Sequence, residues 1–135
     1  MPINPCVDDF ELVDLLVSLG MRAANSTWYC NNVECLGDGA QEMYVYDDGH
    51  LPISGSELIK IASRIYQTID GYFKAYENGE TQPWLIIRAV DGAGFDVESS
   101  DASALETLRQ HFPNITEMHS GKQGYTGIYI TYHPI

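Results

Sequence analysis

The sequence predicts an α+β domain, a mostly antiparallel sheet with about three helices packed on it. Three stretches space their apolar residues at helical intervals. Around them run short segments rich in aromatic and β-branched residues, the composition of strands. Most of those segments come in pairs joined by Asn-Gly, Asp-Gly or Gly-containing turns, which is hairpin chemistry and favours antiparallel pairing. The chain has 135 residues, 44% of them hydrophobic, which fits a single domain over 1–135 able to bury its own core.

The elements follow in order. Residues 7–19 read as an amphipathic helix, with Phe10, Val13, Leu16 and Val17 in one stripe. Asp8, Asp9 and Glu11 fall in its first turn, where the helix dipole favours anions, and Gly20 stops it. Thr27–Asn31 and Met43–Asp47 read as short strands, separated by the loop NVECLGDGAQE. Ser54 and Glu57 make a capping-box pattern. The helix they open carries Leu58, Ile61, Ala62, Ile65, Tyr66 and Ile69 on one face, and Gly71 ends it. Tyr72–Tyr76, Trp84–Val90 and Phe95–Glu98 read as strands, joined by turns at Glu77–Glu80 and Asp91–Gly94. A third helix runs from Ala102 to Phe112 and is closed by Pro113. Ile115–His119 and Thr126–Tyr132 make the last strand pair.

Charge narrows the partners. Nineteen Asp and Glu stand against seven Lys and Arg, a net of −12. Residues 1–50 hold nine carboxylates and one base, Arg22, so the first third alone carries −8. A surface of this sign, without a Lys/Arg cluster, repels nucleic acid and anionic membranes. Acids interrupt the N-terminal apolar run and no stretch reaches the length of a membrane span, so the expected location is cytoplasmic. Cys6, Cys30 and Cys35 are an odd count, expected as free thiols. The pair Cys30 and Cys35 falls short of the four ligands that structural zinc needs. His50, His111, His119 and His133 belong to no nucleophile signature, and the chain is expected not to be an enzyme.

The candidate site is the loop from Glu34 to Glu42, with Asp38 between two glycines. Ca2+ wants six to eight oxygens from carboxylates, carbonyls and water. A glycine-flanked loop lets Asp38, Glu34 and Glu42 converge, and Asp47 and Asp48 end the next segment facing the same space. No EF-hand pattern is present, so such a site is irregular. A chain of this length and acidity, without EF-hands and with Asp38 in an Asp-Gly loop, resembles the small acidic calcium-binding proteins of cyanobacteria. That resemblance implies a non-enzymatic calcium buffer or sensor with Asp38 as its leading ligand. The alternative is an acidic interaction module of the immunity or inhibitor type, which masks a basic protein partner through complementary charge.

Overall fold

A computed structural model of the chain describes residues 10–131. Its elements are α1 (Leu12–Ser18), α2 (Met21–Ala24), β1 (Thr27–Gly37), α3 (Ala40–Tyr44), β2 (Ile53–Ser54), α4 (Gly55–Ala62), β3 (Ile65–Tyr76), β4 (Leu85–Val90), β5 (Gly94–Ser99), α5 (Ala102–His111), β6 (Ile115–Met118) and β7 (Thr126–Thr131). The strands form one antiparallel sheet in the order β2-β1-β3-β4-β5-β7-β6. The α+β class stands, with α1, α4 and α5 as the three longer helices.

Alternation along the strands decides what each face does. On β4, Leu85, Ile87 and Ala89 are buried while Ile86, Arg88 and Val90 are not. The buried set joins Trp28, Phe73, Phe95, Val97, Ile128 and Ile130 from the other strands. Leu12, Leu15 and Leu16 of α1, Leu58 and Ile61 of α4, and Leu105 and Leu108 of α5 belong to the same core cluster. The helices therefore cover one face, and among the described residues none covers the other. The helix starts obey local chemistry. The Ser54 hydroxyl accepts from Glu57 N–H at 3.2 Å, and the Asp101 carboxylate accepts from Ser103 N–H at 3.0 Å. Asp91 and Gly92 both take positive φ (51° and 67°), the type I′ geometry that reverses β4 into β5.

The structure corrects four of the expectations. Helix 7–19 shortens to Leu12–Ser18, followed by the separate turn of α2, with Gly20 at φ 71° between them; residues 7–9 lie outside the described residues. Asn32–Gly37 is not loop but the second half of β1, carried past Asn32 by bulges against β3. Met43–Asp47 is not a strand. Met43 is fully buried as part of α3, and its N–H bonds the Gly39 carbonyl at 3.0 Å. A short apolar run does not reveal its own period, and here core contact selects the helix. Helix α4 ends at Ala62 rather than Ile69. Ile65, Thr68 and Ile69 are β-branched and belong to β3, where Ile65 and Thr68 pair with β1 and Ile69 falls at a bulge. Gly71 then sits inside β3 at φ 154°, with its hypothetical Cβ 3.0 Å from the Phe73 ring, so it is a place of close packing and not a helix stop.

Two details bear on stability. The outer edge of β1 is largely occupied. β2 pairs with Thr27 and Trp28, Asn32 N–H donates to the Asp47 carbonyl at 2.8 Å, and the Tyr44 hydroxyl donates to the Cys35 carbonyl (3.0 Å) and accepts from Cys35 N–H (3.3 Å). A covered edge resists unwanted strand addition. Beneath α1, the Thr68 hydroxyl is buried with no hydrogen-bond partner among the described residues. Replacing it with an isosteric methyl removes an orphaned polar group. Thr68→Val is expected to raise stability by about 1 kcal/mol in a denaturant melt; a loss of stability would show that the hydroxyl is satisfied after all.

Candidate functional site

The five carboxylates singled out from the sequence all lie around the outer edge of β1, but they do not converge on one point. Glu34 is exposed on β1 and stands opposite Asp70 of β3. Both line a shallow depression of about 440 Å3 that Arg88 also reaches. Asp38 is exposed in the turn between β1 and α3. Glu42, on α3, is committed to an ion pair with Arg64, and that hydrogen bond holds its carboxyl below the usual range. Asp47 gives its backbone carbonyl to Asn32. Asp48 accepts from His50 N–H at 3.0 Å and stands 3.4 Å from the His50 ring; the backbone bond is the main cause of its lowered pKa. Among the described residues no three His, Cys, Asp or Glu side chains form a group that would hold a metal ion.

Cys30 and Cys35 are both buried free thiols on the core side of β1. Burial, with the Asp47 charge adding to it, pushes the Cys30 thiol up to about 12. Burial also raises Cys35, against a bond from Tyr44 that lowers it. A thiol held neutral in this way is a poor nucleophile at neutral pH. Cys6 and His133 lie outside the described residues.

Sequence reasoning missed the apolar part of this edge. Leu36, Tyr44, Val45 and Tyr66 are exposed large side chains, from 40% for Tyr44 to 72% for Tyr66. Tyr44 is fixed to the β1 edge through both backbone groups of Cys35, one residue from Leu36. Leu36 pairs with Gln67 and Gly37 with Ile65, so Tyr66 lies across from the same stretch of β1. The four therefore gather at one corner of the molecule, where the end of β1 meets α3 and the start of β3. The signal was present in part: Gly39 followed by Ala-Gln-Glu reads as a helix start, and a helix over 40–44 puts Met43 and Tyr44 on different sides.

Each of the four arginines is already held by the protein's own carboxylates: Arg22 by Glu77 and Asp101, Arg64 by Glu42, Arg88 by Asp96, and Arg109 by Glu106 and Glu117. Glu34, Asp38 and Asp47 make no ion pair among the described residues. Asp38 lies in the turn beside the apolar corner, where its charge also acts on Arg64, and Glu34 opens onto the depression over β3 and β4. No described helix is long and apolar enough to cross a membrane. Fold and surface together define an α+β domain on one seven-stranded antiparallel sheet, bare on one face and acidic along one edge. No protein-family model, curated protein or solved structure matches the chain.

Proposed function

We propose that this chain is a non-enzymatic acidic interaction domain, which binds a basic protein partner at the corner where β1 meets α3. The observation that carries the reading is the combination at that corner: exposed Leu36, Tyr44, Val45 and Tyr66, bordered by Glu34, Asp38 and Asp47 without ion-pair partners. Large aromatic and aliphatic anchors supply most of the affinity in protein interfaces. Carboxylates around them steer a partner of opposite charge and make its association sensitive to salt. A basic amphipathic segment, with Lys or Arg flanking Leu or Phe, has the matching chemistry.

A synthetic Lys/Leu amphipathic peptide tests this by calorimetry. The Glu34→Gln, Asp38→Asn, Asp47→Asn triple variant is expected to bind it about tenfold or more weakly, since exposed charge pairs are worth roughly 0.2–1 kcal/mol each. Tyr66→Ala is expected to weaken binding as well, with the fold unchanged. Equal affinity for parent and triple variant would end the proposal.

A second reading, Ca2+ held by surface carboxylates, draws support from one place. Glu34 faces Asp70 across the β1–β3 ladder. Like charges opposed on neighbouring strands repel, and a divalent cation between them relieves this. Ca2+ at that point takes two carboxylates and completes its shell with carbonyls and water, at an affinity on the order of micromolar to millimolar. Calorimetry separates the two readings. Heat from Ca2+ that Asp70→Asn abolishes supports the cation site; peptide binding that is indifferent to chelator supports the interaction domain alone.

A further inference from the structure

The bare face of the sheet differs from the acidic corner in charge. The strand register sets its side chains in two rows. One runs Tyr72, Arg88, Asp96, Tyr129 across β3, β4, β5 and β7. The next runs Lys74, Ile86, Glu98, Gly127 and ends on Met118 of β6. Two cations, Lys74 and Arg88, lie on β3 and β4; two anions, Asp96 and Glu98, lie on β5. The two rows balance in charge, while Glu34 and Asp70 lie beyond their β1–β3 end, in the depression that Arg88 also lines. Within a chain of net −12 these two rows are where a second copy is repelled least.

The pattern is also self-complementary. We propose that the open face is a homodimer interface, with the two-fold axis parallel to the strands and running between β4 and β5. Half a turn about that axis places β4 over β5 of the second copy and β3 over its β7. Arg88 then faces Asp96 of the second copy, and the reverse contact follows by symmetry, as an isologous interface requires. Tyr72 faces Tyr129 of the second copy in the same row. Lys74 comes over Gly127 of the second copy, beside that copy's Glu98.

Three features of the single chain suit this arrangement. Arg88 is already aligned: it donates to Asp96 at 2.5 Å and to the Tyr72 hydroxyl at 3.3 Å, with its guanidinium 5.8 Å from the Tyr72 ring centre. Closing the dimer therefore joins two formed ion pairs into a four-charge network. Lys74 makes no ion pair among the described residues, so its charge is available to the second copy. The Met118 and Glu98 side chains close over Gly127, at 3.1 and 3.5 Å from the position of a Cβ there, so the Lys74 of the second copy meets Met118 and the side chain of Glu98 at that point. Two sheets meeting in this way pack with their strands within about 30° of each other.

Sedimentation velocity across a concentration series tests the proposal. The parent protein is expected to sediment at twice the chain mass at its upper concentrations. Arg88→Glu and Asp96→Arg are each expected to weaken the dimer at least tenfold, and the Arg88→Glu, Asp96→Arg double variant to restore it, because the swapped charges meet again within and between copies. Lys74→Glu serves as the check on folding: it is exposed and has no intramolecular ion pair to lose, so a folded Lys74→Glu protein that still dimerises as tightly as the parent overturns the proposal. A parent protein that stays monomeric at every concentration does the same. Peptide binding at the acidic corner is expected to be unchanged in Lys74→Glu, so that variant tests the two surfaces separately.

Discussion

A Gly55→Ala protein is expected to unfold roughly 10 °C below its parent, the equivalent of about 3 kcal/mol for a domain of this size. Gly55 is the first residue of α4, and its N–H donates to the Ser26 carbonyl at 2.8 Å. That bond holds the start of α4 against the end of α2. A Cβ at position 55 would stand 1.9 Å from the Ala23 carbonyl oxygen and 2.7 Å from the Ala24 carbonyl. These are backbone atoms, so no side chain can turn aside to make room, and α2 and α4 must separate. The cost falls on the core, since Ala23, Leu58 and Ile61 are buried there with Trp28, whose indole N–H donates to that same Ala23 carbonyl at 3.0 Å. A thermal melt within a degree or two of the parent would mean that the two helices slide apart without loss.

Trp84→Ala is expected to cost about 3–5 kcal/mol, the usual range for removing a buried tryptophan. Trp84 is 4% exposed just before β4. Its indole N–H donates to the Ser26 hydroxyl at 2.9 Å, and the Arg22 guanidinium lies 4.0 Å above its ring. Arg22 in turn grips Glu77 through two nitrogens, at 2.8 and 2.9 Å, and Asp101 through a third at 2.5 Å. One ring thus ties α2 to the β3–β4 turn and to the start of α5. The same knot sets an acid limit. Hydrogen bonds from Ser103, then from Arg22, hold the Asp101 carboxyl down to about 2 from its ordinary 3.8. The Arg22 bond also lowers Glu77 from its ordinary 4.5. Both groups are depressed in the folded state, so their stabilisation is complete above pH 4.5 and is lost as the pH falls towards 2. Arg22→Met is expected to flatten that acid limb in part, because Ser103 still bonds Asp101. Identical acid limbs in parent and variant would remove Arg22 from the explanation.

The second half of the fold was legible because its turns are written in residue types. Asp91-Gly92 and Asn78-Gly79 reverse the chain where the sequence places them, and β4, β5, β6 and β7 fall within about a residue of expectation. The first half was less so. Ile61, Ile65 and Ile69 keep helical spacing through residues that the sheet claims, and only the pairing of Ile65, Gln67, Thr68 and Asp70 with β1 shows that this stretch is strand. The segment Met43–Asp47 has strand composition, yet one buried side chain, Met43, makes its start a helix. The candidate site shared this fate. The acids were visible as a cluster in sequence, but the ion pair from Arg64 to Glu42 joins residues far apart in the chain, and the exposure of Leu36, Tyr44, Val45 and Tyr66 depends on tertiary packing that periodicity does not encode.

The most direct test of the acidic corner is a footprint by amide NMR, recorded while the Lys/Leu peptide is titrated into the isotope-labelled protein. Shift changes are expected at residues 34–38, 44–48 and 64–67, and they are expected to fade as salt rises from about 0.01 M to about 1 M, which shortens the screening length from about 30 Å to about 3 Å. Shifts centred on α1 and α5, or shifts spread evenly over the surface, would contradict a partner site where β1 meets α3.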